Sequence, residues 1–133
     1  MAIPTTTDIY AAISGLYPTV SILTGDHHTA LVEALAKPSP VDTVSDALEV
    51  LLAAVKADTL TGADLATVVA ACNQMAFLCT TYQWHGKTQR GADITVAMNA
   101  IVNGTPVAQA CSAIAVDERF AAQPVLTSAP PAV

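Results

Sequence analysis

Residues 65–86 read LATVVAACNQMAFLCTTYQWHG, a run without Asp, Glu, Lys or Arg. Its apolar positions Leu65, Val68, Cys72, Met75, Cys79 and Tyr82 alternate steps of three and four, the spacing of a buried helical stripe. Val69, Ala76 and the Ala70–Ala71 pair broaden the stripe. Asn73, Gln74, Thr80, Thr81 and Gln83 add hydrogen-bonding groups without charge. The run is expected to be the central post of an all-α domain. A membrane span is the rival reading for an uncharged run of this length. Roughly a third of the run is polar, it lacks a solid Leu/Ile/Val/Phe block, and its ends show no strong Lys/Arg asymmetry, which together favour burial by protein.

Working outward, 133 residues suffice for one domain with a real core. Hydrophobic residues make up 53% and charged residues 12%, about half the usual share of charge. A soluble monomer needs surface charge, so the deficit points to a surface that meets other subunits. The net charge is −6 and the pI is near 4.6. That balance disfavours nucleic acid and anionic membrane surfaces, both of which select for Lys and Arg. Cys72, Cys79 and Cys111 lack CxxC spacing and read as reduced, buried, apolar residues. No charged n-region followed by an apolar h-region opens the chain, so cytosolic synthesis is expected.

Before the central run, Ile9, Ala12, Ile13 and Leu16 line a short helix, and Asp26 is placed to cap another over His27–Lys37. Ser39-Pro40-Val41-Asp42 is a helix start with a Ser cap and Pro at the first position. The series Val41, Val44, Leu48, Leu51 and Val55 then marks an amphipathic helix, with Asp42, Asp46, Glu49 and Lys56 expected on its wet side. Beyond the central run come a polar loop, His85–Arg90, a helix with Ile94, Ala97, Met98, Ile101 and Val102, and a stop at Asn103-Gly104. A further helix carries Val107, Ala110, Cys111 and Ile114. From Ala121 the sequence AAQPVLTSAPPAV reads as an extended tail.

Chemical motifs are scarce. Gly86-Lys87-Thr88 resembles the end of a phosphate-binding loop, but the glycine required five positions earlier is Thr81. His27, His28 and His85 fit no metal-ligand spacing. Ser14-Gly15 fits no nucleophile motif, and Cys79 belongs to the apolar stripe, where a thiol is inert. Asp42, Asp46 and Glu49 read as a solvated face rather than a catalytic carboxylate pair.

The sequence therefore predicts a compact all-α bundle. Four main helices are expected near 41–57, 62–84, 92–103 and 106–116, with two short helices in front. One domain spans 1–120 and an extended Pro/Ala-rich tail spans 121–133. No catalytic residue, cofactor or metal is assigned. Candidate interface residues are Trp84, His85, Lys87 and Arg90, since Trp and Arg are favoured interface anchors, and Pro124, Val125, Leu126, Pro130 and Pro131 in the tail. The expected function is a non-enzymatic structural or assembly subunit of a larger protein particle, such as a virion head or tail. Its partners would be protein subunits, itself or others, with no nucleic acid and no membrane span. The alternatives are a helical module binding a small apolar ligand beside Met75, Phe77, Leu78 and Met98, and an enzyme whose site is assembled from distant residues.

Overall fold

The computed structural model describes residues 6–116, and every regular element among them is helical. In order these are α1 (Thr6–Ser14), α2 (Tyr17–Val20), α3 (Gly25–Leu35), α4 (Pro40–Lys56), α5 (Gly62–Tyr82), a 3-10 turn (Trp84–Gly86), α6 (Thr88–Val102) and α7 (Val107–Ala110). The tail expected at 121–133 lies outside the described residues.

The centre is α4, not α5. Twelve of the 17 residues of α4 are buried, against six of the 21 in α5. Helix α4 packs against α1, α3, α5, α7 and the 3-10 turn. Leu48, Leu51, Leu52, Val44, Val50 and Val55 are all fully enclosed, each such side chain contributing about 1.5–3 kcal/mol by burial. The absence of charge along α5 suggests the central post of the domain, with a buried stripe broadened by Ala70, which is instead exposed. Its stripe Val68, Cys72, Met75 and Cys79 is indeed buried, with Val69 and Ala76 beside it. The opposite side, Ala63, Ala66, Thr67, Ala70, Gln74 and Phe77, is exposed. By length and composition α5 could cross a membrane, with a mean hydropathy of 1.3 over its most apolar window; here it packs between α4 and α6.

Three boundaries shift. Helix α5 stops at Tyr82 because Gln83 adopts a left-handed conformation (φ 58°) and donates its N–H to the Cys79 carbonyl. Helix α6 begins at Thr88, so Thr88, Gln89 and Arg90 form its first turn rather than a loop. The helix expected over 106–116 is a single turn, α7. Past it, the carbonyls of Ile114 and Ala115 accept hydrogen bonds from Lys56 and Arg90 instead of continuing a helical ladder. The cap expected of the Ser39 side chain makes no hydrogen bond, although Ser39, like Thr61 before α5, has the extended backbone of a helix entry.

Helix α6 comes close against α5 at Gly91. A Cβ there would sit 2.1 Å from Thr80 Oγ1 and 2.7 Å from the Ala76 carbonyl. The backbones can approach this far only with glycine. Gly91-Ala92-Asp93 therefore lies inside a helix, unlike its look-alike Gly62-Ala63-Asp64, which opens α5. In a helix interior Ala normally stabilises by about 1 kcal/mol over Gly, but overpacking costs about 1–3 kcal/mol. Gly91→Ala is expected to lower the melting temperature; a rise would show that α5 and α6 are not in this close contact.

Candidate functional site

Asp42, Ser45, Asp46 and Glu49 recur at helical spacing on one side of α4. That side was expected to be wet, and the structure corrects this. Glu49 is 1% exposed, and the Asp46 side chain is 13% exposed. Covering them are the 3-10 turn, the first turn of α6 and Lys37, which follows α3. Lys87 Nζ donates to Glu49 Oε2 at 3.0 Å and to the Ser45 carbonyl at 3.0 Å. Arg90 grips the same carboxylate with two bonds, Nε to Oε2 at 2.9 Å and Nη2 to Oε1 at 2.5 Å. Arg90 Nη2 also reaches the Ala115 carbonyl at 2.8 Å, so one guanidinium joins α4, α6 and the segment after α7.

The rim is looser. His85 Nε2 lies 2.6 Å from Asp42 Oδ1, both side chains nearly half exposed, and Lys37 Nζ lies 3.4 Å from Asp46 Oδ2. A pair as exposed as His85–Asp42 contributes about 1 kcal/mol at most. Lys37, Asp42, Ser45, Asp46, His85 and Lys87 together line a polar cleft of about 330 Å³. Its chemistry suits a small polar group, not an apolar ligand. The residues named for an apolar site diverge: Met75 and Met98 are fully buried while Phe77 is 59% exposed.

The backbone beside the cleft is unusual. Gln83 and His85 both have positive φ (58° and 54°), followed by Gly86 at 70°. Left-handed conformations at two residues other than glycine cost of order 1–3 kcal/mol each. Surrounding contacts hold them: Trp84 stacks on Tyr82 with ring centroids 5.5 Å apart, His85 meets Asp42, and the Lys87 amide bonds the Trp84 carbonyl at 3.0 Å.

Of the interface candidates in this loop, Trp84 is half-buried against the core. His85 is exposed, while Lys87 and Arg90 turn inward to Glu49. Pro124, Val125, Leu126, Pro130 and Pro131 lie outside the described residues. The sequence reading missed Lys37, Asp42, Ser45, Asp46 and Glu49 as a set. Their one local signal was the spacing along α4, whose meaning depends on what covers it.

Burial pushes the Glu49 carboxyl up, but the Arg90 and Lys87 hydrogen bonds and charges outweigh it and hold the group below its ordinary value. The thiols are free and buried. Burial raises Cys79 to about 11 and raises Cys72 and Cys111 as well, so all three are protonated and unreactive at neutral pH. Among the described residues no group of three or more His, Cys, Asp and Glu side chains could hold a metal ion. His27, where burial lowers the pKa against an opposing pull from Asp26, has its Nε2 enclosed without a hydrogen-bond partner among the described residues. The chain matches no protein-family model, no curated protein and no solved structure.

Removing one partner from a buried ion cluster leaves an uncompensated charge. Glu49→Ala is therefore expected to cost about 3–5 kcal/mol, whereas replacing Glu49, Lys87 and Arg90 together by Leu, Met and Met should be far milder. Because the folded carboxyl sits below its unfolded value, its contribution is complete above about pH 4.3 and is lost as the pH falls through the folded value. Urea unfolding between pH 7 and pH 2 should show that loss in the native chain and not in the triple variant. A pH-independent difference between the two would contradict the assignment.

Proposed function

We propose that the chain is a non-enzymatic structural subunit that assembles with other protein subunits into a larger particle. The observation that carries this reading is the outer side of α5, where Ala63, Ala66, Thr67, Ala70, Gln74 and Phe77 present an exposed helical surface without a formal charge. Elsewhere on the surface, α6 exposes Val96 and Val102, each 70% exposed. The Asn73 side-chain amide donates to Asn99 Oδ1 at 2.9 Å and ties the two helices together at this surface. A helical surface without charge can pack against another subunit without the cost of burying an ion.

The distribution of charge supports the same reading. Lys37, Lys56, Lys87 and Arg90 each engage an acceptor within the chain. Asp26, Glu33, Asp58, Asp64 and Asp93 are exposed. An outer surface of that sign repels a phosphate backbone, which leaves protein as the favoured partner. The buried thiols lie outside the polar cleft at His85 and are protonated, so none of them supplies it with a nucleophile.

Sedimentation velocity of the intact chain, over concentrations from low to high micromolar, tests the proposal. A discrete oligomer or a growing polymer is expected. Phe77→Asp should shift it toward monomer while leaving the helical circular dichroism unchanged. A native chain that stays monomeric throughout would refute the reading.

A further inference from the structure

A second surface feature lies where the described chain ends. Asp93, Val96 and Ala97 of α6 face Ala110, Ala113 and Ile114 across a groove of about 300 Å³. Its lining is apolar apart from Asp93, whose carboxylate already accepts a hydrogen bond from Gln89 at 2.9 Å. Ile114, at one wall, stands just before Val116, the last described residue. Residues 117–133 follow, and from Phe120 onward they read FAAQPVLTSAPPAV, without Asp, Glu, Lys or Arg.

We infer that this groove seats the 117–133 segment of a second copy of the chain, with Val125 and Leu126 as the apolar contacts. The inference rests on the assembly reading above and names one of its contacts. Reach permits docking on a neighbour: an extended segment of this length spans ~50 Å, whereas a domain of this size is about 34 Å across. The path favours a neighbour's groove over the chain's own. Val125 and Leu126 stand ~28 Å along an extended chain from Val116, while the chain's own groove begins at Ile114. A return to it would need the intervening residues to double back, against the extended bias of Pro124. Docking on a neighbour asks for no reversal, and the fixed proline dihedrals reduce the entropy lost on binding.

The test is photo-crosslinking in the full-length chain. A benzophenone side chain replaces Leu126, and isotopically heavy and light preparations are mixed before irradiation. The expected result is crosslinks to Val96, Ala110 or Ala113, a substantial share of them joining a heavy chain to a light one. Val96→Asp, at a 70% exposed position, should preserve folding and reduce those crosslinks roughly tenfold, as a carboxylate placed in an apolar contact costs at least 1.4 kcal/mol. Groove crosslinks confined to single chains would overturn the inference by showing that the segment folds back on itself. Crosslinks elsewhere, or undiminished by Val96→Asp, would overturn it too. Should the native chain sediment as an assembly while either of those results is obtained, this inference falls and the assembly reading stands.

Discussion

A carboxylate sealed inside a helical core constrains everything around it. Glu49 projects from the most enclosed helix of the protein and is 1% exposed, a position that an unpaired charge could occupy only at a cost of several kcal/mol. Lys87 and Arg90 must therefore be delivered to it, from 38 and 41 residues further along the chain. That requirement fixes where α5 stops and where α6 starts. The chain reverses through the left-handed residues Gln83 and His85, and the strain of that turn is tolerated because the turn sets both cations against one carboxylate. Arg90 extends the same constraint to Ala115, and Lys56 extends it to Ile114, so the segment after α7 is pinned by side chains of α4 and α6.

The arrangement has consequences at the surface. A chain with five Lys and Arg residues in all commits two of them to one buried carboxylate. Exposed acids remain on the outside, together with the uncharged side of α5 and the apolar groove beside α7. Core and surface thus share one cause. The composition is poor in charge, and the fold turns two of its few cations inward onto one carboxylate.

Much of the helical layout was legible because it is local. The three-and-four spacing of Val68, Cys72, Met75 and Cys79 identifies the buried stripe of α5 whatever lies opposite, and Pro40 marks the start of α4 by fixing φ. What could not be read was pairing at a distance. Glu49 sits among Asp42, Asp46 and Lys56 in a pattern that is equally that of a wet helix face. Only the arrival of Lys87 and Arg90 turns it into a core position. The ranking of α4 and α5 failed for a related reason: lack of charge permits burial but does not require it, and alanines and threonines on the outer side of α5 are tolerated in water. Residues 106–116 carry a helical pattern, yet their later carbonyls are claimed by side chains from α4 and α6, which no local pattern records.

The central claim, that Glu49 and Arg90 hold α4 and α6 together as an ion pair, is tested most directly by a double-mutant cycle. Glu49→Met, Arg90→Met and the double variant would be compared with the native chain by urea unfolding at pH 7. The account predicts two strongly destabilised single variants and a double variant more stable than their sum implies, with a coupling energy above about 2 kcal/mol. Additive effects, with coupling near zero, would contradict it.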